Sequence, residues 1–273
     1  MKPAPFDYLR AMTTQDALAA LAQNGEDARV LAGGQSLMAV LNMRLAQPRV
    51  LVDISRNAEL DTVRVDEKAG HLVVSAAATQ GSVEWRRSLF DEVPLLAMAF
   101  PNISHFQIRN RGTVCGSIAH ADPSAELPLV LTALGGDVML RSAKKRRTLA
   151  AQDFFQGMLM TAREPDELVE AVRFPLKKPG ERHAFAEFSA RHGDFAVVAC
   201  AAVVTDDAIR IAVGGVADRP VAETWPRLTG DDLRGALNDL SWKLNAQDDA
   251  HISAKYRRNL VRQLGWRVIE EAK

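Results

Sequence analysis

Residues 30–41 read "VLAGGQSLMAVL", and this stretch decides how the N-terminal part of the chain folds. An apolar run leads into two glycines and two small polar residues, and apolar residues at helical spacing follow. This order predicts a strand, a tight turn and a helix. Backbone N–H groups in such a turn bind phosphate oxygens without a basic side chain. A plain strand-to-helix turn explains the glycines equally well, because neither G-x-G-x-x-G nor a P-loop motif is present.

The flanking segments predict a small parallel sheet around this turn. "TTQDALAALAQNG" at residues 13–25 has an apolar helical face, "ARVLAG" is typical of a short buried strand, and "RVLVDIS" at residues 49–55 of another. We expect the second helix, "SLMAVLNMRLA", to be closed by Pro48. This β-α-β-α-β rhythm places ligand-binding turns at the C-terminal ends of strands, where Gly33 and Gly34 lie.

From about residue 57 the pattern changes to antiparallel pairing. "LDTVRVDEKAGHLVVSAAAT" and "DVMLRSAKKRRTLAA" predict hairpins, and helices are expected near "SVEWRRSLFDEV" and in "LPLVLTALGG". "FPLKKPGER" concentrates proline, glycine and charge, so we expect a domain boundary near residue 177. Beyond it, residues 183–218 predict three strands, and residues 231–273 predict helices with an apolar stripe.

A second stretch of interest is "RNRGTVCGSIAHADPSAELP" at residues 109–128. We expect a long loop of small residues here. Its glycines would let a ligand approach the backbone closely, and its hydroxyl groups could donate hydrogen bonds to that ligand. Asp122 and Pro123 also fit the start of a helix, which is a purely structural alternative. Ligand binding is favoured, because a loop of this length rarely lies in a compact domain without a purpose.

Composition excludes several classes of protein. The 273 residues include 34 basic and 34 acidic side chains, so the overall field favours neither nucleic acid nor an anionic membrane. No apolar run approaches the roughly 20 residues of a spanning helix, and no secretory signal is present, so we expect a cytoplasmic protein. Cys115 and Cys200 are too few for an iron–sulfur cluster, which usually needs four thiolates. Any such cluster is therefore expected on another chain.

Two further patterns carry little functional weight. "KKRR" at residues 144–147 is interpreted as the solvated tip of a hairpin and not as a nucleic-acid patch. His105, His120 and His192 lack the spacing of a metal site, so they are interpreted as core or surface histidines. No metal site is expected on this chain.

Seven ordered segments resemble the FAD-binding medium subunit of molybdenum hydroxylases, the family that includes the medium subunits of carbon monoxide dehydrogenase. They are "FDYLRAMTTQDALAALA", "LAGGQSLMAVLNMRLAQP", "LVDIS", "RNRGTVCGSIAHADPSAELP", "RHGDFAVVA", "GGVADRPV" and "KYRRNLVRQL". The resemblance implies an α+β fold with a FAD-binding domain of the PCMH type (vanillyl-alcohol-oxidase-like) over residues 1–176. Within it, a small parallel β-α subdomain covers residues 1–56 and a larger mixed subdomain covers residues 57–176. A C-terminal domain with a small antiparallel sheet and helices follows over residues 177–273.

The resemblance also implies that the two stretches bind one FAD. The first wraps the pyrophosphate, and the second is usually written T-I-G-G-N in the family. Glu126 is expected near the ribose or pyrophosphate end, and the backbone of Val169 beside the adenine or the dimethylbenzene ring. The cofactor-binding residues so predicted are Ala32, Gly33, Gly34, Gln35, Ser36, Leu37, Thr113, Val114, Cys115, Gly116, Ser117, Glu126 and Val169. No catalytic acid or base is expected.

Three positions depart from the family pattern. Cys115 stands where relatives have a glycine, which would put a thiol close to the flavin, although a small buried side chain is the simpler interpretation. Ser117 replaces an asparagine and offers fewer hydrogen bonds. Residues 185–187 contain no lysine, whereas several relatives carry one near the flavin.

The resemblance implies an electron-transfer subunit. A large partner with a molybdopterin cofactor would hydroxylate the substrate, and a small partner with two [2Fe–2S] clusters would pass electrons to FAD and on to an acceptor. The family pattern is a dimer of heterotrimers. A stand-alone flavin oxidase or reductase of the same fold is the alternative, and a nucleotide-binding module without a redox role is a third. The hydroxylated substrate, the acceptor (oxygen, NAD, a quinone or a cytochrome) and the partner-binding surface stay open.

Overall fold

The computed structural model describes residues 2–273 and has a mixed α+β architecture. The strands are β1 (Asp7–Arg10), β2 (Ala28–Leu31), β3 (Val50–Asp53), β4 (Val63–Asp66), β5 (His71–Ser75), β6 (Asp137–Arg141), β7 (Arg146–Ala150), β8 (Phe155–Gly157), β9 (Met160–Thr161), β10 (Leu168–Pro175), β11 (Arg182–Ser189), β12 (Ala196–Val204), β13 (Ala208–Gly214) and β14 (Val221–Pro226). The helices are α1 (Thr14–Asn24), α2 (Leu37–Asn42), α3 (Gln80–Glu84), α4 (Leu89–Glu92), α5 (Pro94–Ala99), α6 (Phe106–Arg109), α7 (Val114–His120), α8 (Glu126–Leu134), α9 (Ala151–Phe154), α10 (Gly230–Lys243) and α11 (Ala254–Glu271). Within residues 2–273, no helix combines the length and apolar character needed to cross a bilayer.

The N-terminal sheet is parallel, as the sequence predicts, and its strands lie in the order β1-β3-β2. Helix α1 packs on β2 and β3 through its buried apolar face. A capping box fixes its start, because the Thr13 hydroxyl accepts from the Asp16 N–H while the Asp16 carboxylate accepts from the Thr13 N–H. The register pairs Leu31 with Asp53, so the carboxyl ends of β2 and β3 lie side by side.

The middle sheet is antiparallel, in the order β4-β5-β10-β6-β7, and it contains both predicted hairpins. Only part of the "KKRR" segment is a solvated tip. Lys144 is exposed in the turn, whereas Arg147 on β7 donates two 2.7 Å hydrogen bonds to the fully buried carboxylate of Glu167. This paired burial ties β7 to the chain that enters β10.

The C-terminal sheet is antiparallel, in the order β11-β12-β13-β14, and helices cover both of its faces. Alternate side chains point to opposite faces, so Cys200 and Ile211 pack with α10 and α11, while Ala199 and Ala201 pack towards α8. The predicted helical tail is confirmed. The prediction of three strands was incomplete, because β14 is a fourth strand at the sheet edge whose Glu223 obscured its apolar pattern.

Helix α2 is shorter than predicted. It ends at Asn42, well before the proline, because a Schellman motif closes it. The N–H of Leu45 donates to the carbonyl oxygen of Val40 at 3.0 Å. The N–H of Arg44 donates to the carbonyl oxygen of Leu41, also at 3.0 Å. Arg44 itself has a left-handed conformation with φ 57°. The chain therefore turns sharply soon after the helix begins.

The stretch predicted as one long loop, residues 109–128, is largely helical and contains α7 and the start of α8. Gly116 and Ser117 have low helix propensity, but burial of Val114 and Ile118 on one face of α7 outweighs it. Thr113 caps the helix, since its hydroxyl accepts from the Gly116 N–H at 3.0 Å. The loop prediction was therefore wrong over residues 114–120.

Two other helical predictions need correction. Asp122 and Pro123 do not begin a helix, because the Asp122 carboxylate accepts from the Ser124 N–H at 2.9 Å in an Asx turn. Helix α8 begins at Glu126, after Ala125 as its N-cap residue. The helix expected near "SVEWRRSLFDEV" is two short helices, α3 and α4.

Candidate functional site

The two glycines of the first stretch form the predicted turn between β2 and α2. Gly34 has φ 72°, a left-handed conformation that glycine adopts without strain. The Gln35 side chain folds back over the turn, with Nε2 donating to the Gly33 carbonyl oxygen at 3.0 Å. Among the hydrogen bonds of residues 2–273, none uses the N–H groups of residues 33–36 as donors. The turn therefore carries four consecutive backbone donors that a ligand can use.

The second stretch is held against the start of α3. The Gln80 N–H donates to the Gly112 carbonyl oxygen at 2.7 Å, and the Val114 N–H donates to that of Ala78 at 3.3 Å. Thr113 forms an isolated antiparallel bridge with Thr79. These contacts fix the backbone at the entry to α7.

The fold brings the two stretches into direct contact, although about eighty residues separate them. A Cβ added at Gly33 would overlap the carbonyl oxygen of Arg111 and lie 2.6 Å from the Cα of Gly112. Only glycine fits at this position, because the atoms that a Cβ would overlap belong to the backbone of residues 111–112 and cannot move aside as a flexible side chain could. Gly33 and Gly112 thus join the two small-residue stretches.

A cavity of about 310 Å³ lies beside this contact, at the carboxyl ends of the parallel strands β2 and β3. Its lining residues are Leu31, Ala32, Gly33, Gly34, Gln35, Met38, Asp53, Ser55 and Arg111. Ligands of parallel α/β sheets bind at such strand ends. Four of the predicted residues line the cavity, whereas Ser36 and Leu37 do not.

Three polar residues in this lining were not predicted from the sequence. Asp53 and Ser55 follow strand β3, and the rule that was applied to the end of β2 finds them when it is applied to "LVDIS" as well. Arg111 comes from the second stretch, just before its predicted residues. No pattern in the sequence marks Arg111, because its position depends on how the two stretches meet.

The charged groups of the cavity differ in how they are satisfied. The Asp53 carboxylate accepts from the Tyr8 hydroxyl and from the Ser55 N–H, the latter at 2.8 Å. Burial opposes its ionisation, but these hydrogen bonds outweigh burial and hold the pKa of Asp53 below its usual value. Arg111 is exposed, and its guanidinium has no ion pair or hydrogen bond with any residue that the structure describes. The cavity thus presents one uncommitted cation beside the free N–H groups of the turn.

The remaining residues predicted from the second stretch do not line this cavity. The side chains of Thr113, Val114 and Cys115 are buried, whereas Gly116 and Ser117 are partly exposed on α7. The Cys115 thiol donates to the Val74 carbonyl oxygen at 3.3 Å, and burial raises its pKa far above the usual range. The interpretation of Cys115 as a small core residue is therefore confirmed for its side chain.

Glu126 and Val169 also lie outside the cavity lining. Val169 is buried on β10 within the largest hydrophobic cluster, and it pairs with Leu140 on β6. Glu126 is buried in the first turn of α8, and burial together with the charge of Asp122 raises its pKa to about 7.

The histidines form no metal centre. Within residues 2–273, no group of three or more His, Cys, Asp and Glu side chains has a geometry suited to a metal ion. His105 and His192 line a second cavity of about 500 Å³ with Ser104, Phe106 and Gln107. Its walls come from the α6 region and from the β11–β12 loop.

Comparison with known families covers nearly the whole chain. The family described as "FAD binding domain in molybdopterin dehydrogenase" matches residues 4–177, where both small-residue stretches and the cavity lie. The family described as "CO dehydrogenase flavoprotein C-terminal domain" matches residues 183–272. The chain belongs to the FAD-binding subunits of the molybdenum hydroxylases. It is thus an oxidoreductase subunit with an FAD-binding domain, as the resemblance implied.

The sequence of this FAD subunit aligns with those of its relatives over nearly their full length. It is 34% identical to caffeine dehydrogenase subunit beta of Pseudomonas sp. strain CBB1, over 100% of this chain and 96% of the relative. It is 33% identical to the carbon monoxide dehydrogenase medium chain of Afipia carboxidovorans, over 100% and 98%.

Solved structures confirm the fold class of the FAD subunit. The carbon monoxide dehydrogenase of Hydrogenophaga pseudoflava matches with a TM-score of 0.93 and 30% identity, over 100% of this chain and 98% of that one. Quinoline 2-oxidoreductase of Pseudomonas putida 86 matches with a TM-score of 0.91 and 32% identity, over the same shares. The α+β architecture, with an FAD-binding domain before a C-terminal antiparallel sheet and helices, is therefore that of the family.

Proposed function

We propose that the two small-residue stretches hold one FAD between them. The supporting observation is the contact of Gly33 with Gly112, which places Arg111 beside a cavity that is also lined by Gly33, Gly34 and Gln35, whose backbone N–H groups are free. Backbone donors and one cation fit a pyrophosphate, because phosphate oxygens accept several hydrogen bonds at once. The proposed cofactor residues are Ala32, Gly33, Gly34, Gln35, Ser36, Leu37, Thr113, Val114, Cys115, Gly116, Ser117, Glu126 and Val169, to which we add Arg111.

Each part of this set has a distinct task in the proposal. Residues 33–36 donate backbone hydrogen bonds to the pyrophosphate, and Gly33 lets the second stretch close on the first. Arg111 offsets the phosphate charge. In the proposal, a planar ring packs against the partly exposed small residues Gly116 and Ser117 of α7. When bound, FAD supplies the redox chemistry that amino-acid side chains do not provide.

We infer further that the chain is the medium subunit of a heterotrimer, with electrons passing from [2Fe–2S] clusters on a small partner to FAD and then to an external acceptor. A large partner would carry the molybdopterin cofactor. The names of the relatives, as a medium chain and a beta subunit of dehydrogenases, support this role. Its own Cys115 and Cys200 are both buried and too few to hold an iron–sulfur cluster.

We propose a domain division at the loop between β10 and β11. Residues 1–176 would form the FAD-binding domain, with residues 1–56 as its small parallel subdomain and residues 57–176 as its larger one. Residues 177–273 would form the C-terminal domain. The separate sheets in each of these three parts support the division.

Reconstitution with partner chains tests the proposed electron route. The chain is expressed alone and together with the iron–sulfur and molybdopterin chains that its neighbouring reading frames are expected to encode, and each preparation is loaded with FAD. We expect the co-expressed chains to purify as one complex, and the visible flavin band to bleach when the compound that the large partner would hydroxylate is added without oxygen or another acceptor. The chain alone should keep its flavin oxidised. If the isolated chain oxidised a small substrate without partners, the stand-alone oxidase would replace this proposal.

A further inference from the structure

Among the described residues that line the cavity at the ends of β2 and β3, Asp53 alone is acidic. It is the last residue of β3, and the register pairs it with Leu31, the last residue of β2 before the glycine turn. The acid and the turn therefore lie at the same edge of the sheet, on neighbouring parallel strands. Because the cavity is proposed to hold an anionic pyrophosphate, a carboxylate in its wall calls for a different part of the ligand.

The Asp53 carboxylate is held in a fixed orientation. Its Oδ2 accepts from the Tyr8 hydroxyl, and its Oδ1 accepts from the Ser55 N–H at 2.8 Å. The Tyr8 hydroxyl in turn accepts from the Arg10 guanidinium at 3.3 Å. Burial opposes ionisation of Asp53, but the hydrogen bonds hold its pKa below the usual value, so the group is an anion at neutral pH.

These two hydrogen bonds leave the carboxylate able to accept more. An ionised carboxylate offers about four lone-pair sites, and Tyr8 and Ser55 occupy one on each oxygen. Arg111 lines the same cavity but forms no ion pair with Asp53 within residues 2–273. A ligand group that meets the remaining lone pairs must donate a hydrogen bond, because a phosphate oxygen would be repelled there.

The spacing of the turn and the acid resembles that of other dinucleotide sites on parallel sheets. In those sites a glycine turn at a strand end binds the pyrophosphate, and an acidic residue about twenty positions further on accepts from a ribose hydroxyl. Asp53 follows Gly33 by twenty residues and lies on the strand beside it. The G-x-G-x-x-G motif is absent, so the likeness is one of placement and chemistry alone.

We propose that Asp53, oriented by Tyr8, accepts a hydrogen bond from a sugar hydroxyl of the bound dinucleotide, so that the cavity selects a nucleoside pyrophosphate over bare pyrophosphate. This inference rests on the proposed function, which places the FAD pyrophosphate in this cavity. Tyr8 does not line the cavity, so it is a positioning residue that acts through Asp53. FAD carries hydroxyl groups on both sides of its pyrophosphate, on the adenosine ribose and on the ribityl chain, and both have this chemistry.

The negative charge of Asp53 has opposite effects on ligands with and without a sugar. For inorganic pyrophosphate, replacement of the carboxylate by an amide removes a repulsion, so binding stays equal or becomes tighter. For a ligand with a sugar hydroxyl, the same replacement removes a charge-assisted hydrogen bond, which is about twice as strong as a neutral one. A carboxylate that only supports the fold would change the binding of both ligands alike.

Competition binding to the full chain without FAD tests this selectivity. Dissociation constants are measured for FAD by titration, and for ADP and inorganic pyrophosphate by displacement of FAD. The proteins are the wild type, Asp53→Asn, Tyr8→Phe and Asp61→Asn, where Asp61 is an exposed aspartate outside the cavity and controls for loss of one charge. We expect Asp53→Asn to weaken FAD about tenfold and pyrophosphate not at all. Tyr8→Phe should weaken FAD about threefold with the same selectivity, and Asp61→Asn should change neither.

ADP identifies which sugar donates. An equal loss for ADP and FAD in Asp53→Asn would assign the hydroxyl to the adenosine ribose, whereas a loss for FAD alone would assign it to the ribityl chain, and both results support the inference. Tyr8→Phe keeps the test available if Asp53→Asn does not fold, because Tyr8 is 49% exposed.

Two results would overturn the role of Asp53. One is an equal loss for FAD and pyrophosphate in Asp53→Asn, and the other is wild-type affinity for FAD in both Asp53→Asn and Tyr8→Phe. If the wild type bound ADP but not FAD, the proposed function would fail, while the ratio of ADP to pyrophosphate affinity would still decide the role of Asp53. Binding of none of the three ligands would overturn both.

Discussion

The parallel N-terminal sheet and the antiparallel C-terminal sheet use their strands in opposite ways. Strand β1 of the first sheet is exposed at all four residues, and the carboxyl ends of β2 and β3 open into the cavity. Strand β12 of the second sheet is almost wholly buried, with α8 on one face and α11 on the other. The first sheet therefore exposes backbone and charge for a ligand, while the second supplies buried apolar area for stability.

This difference gives the same kind of substitution different consequences in the two regions. Truncation in the C-terminal sheet removes packing from a closed core. Truncation in β1 removes little packing, because that edge strand is exposed. Changes at the carboxyl ends of β2 and β3 alter the cavity and leave most of the core untouched.

The largest expected difference lies in stability. Ile211 is fully buried between the sheet and the C-terminal helices, so Ile211→Ala should lower the free energy of unfolding by about 3 kcal/mol. Leu9 on β1 is 39% exposed, and Leu9→Ala should change the free energy of unfolding by less than about 1 kcal/mol. Urea unfolding of both variants provides the measurement. Equal losses would show that the two sheets contribute alike to stability.

A smaller effect is expected on FAD affinity from the charge in the cavity. Arg111→Gln should weaken FAD binding about tenfold, or about 1.4 kcal/mol, because it removes a cation from the cavity proposed to hold the pyrophosphate. Its melting temperature should match the wild type, since the side chain is exposed and unpaired. Arg87→Gln, an exposed arginine outside the cavity, is the matched control. Equal affinities of the two variants for FAD would remove Arg111 from the site.

The smallest expected effect is an absence of thiol reactivity. Burial raises the pKa of the Cys200 thiol to about 12 and that of Cys115 higher still, so neither forms a thiolate readily. A disulfide reagent at pH 8 should label no thiol in the folded chain and both thiols after unfolding. Fast labelling of one cysteine together with a change in the flavin spectrum would instead place a reactive thiol at the cofactor.

Periodicity and turn chemistry are sufficient to predict most of the fold. Helix α1, both hairpins and the helical tail follow from apolar spacing of 3.6 or 2 residues. Helix α7 escaped prediction because its helical state depends on burial against the core and not on propensity. Strand β14 was not predicted, because the charged residue in this edge strand interrupts the alternation of apolar and polar side chains.

The candidate site could be predicted only in part. The glycines of the first turn follow from the strand-end rule, and the same rule reaches Asp53. The place of Arg111 in the cavity depends on contacts between segments far apart in the chain. A single sequence read by local pattern carries no signal for such contacts.

The closure of two stretches of chain on one FAD is tested most directly by Gly33→Ala. Equilibrium dialysis with FAD, read by the visible flavin band, compares the wild type with Gly33→Ala and with Gly235→Ala, whose added methyl group meets open space. We expect one FAD per wild-type chain, unchanged binding in Gly235→Ala, and at least about 100-fold weaker binding in Gly33→Ala with an unaltered far-UV circular dichroism spectrum. Wild-type affinity in Gly33→Ala, or no flavin on the wild type, would contradict a site formed by both stretches.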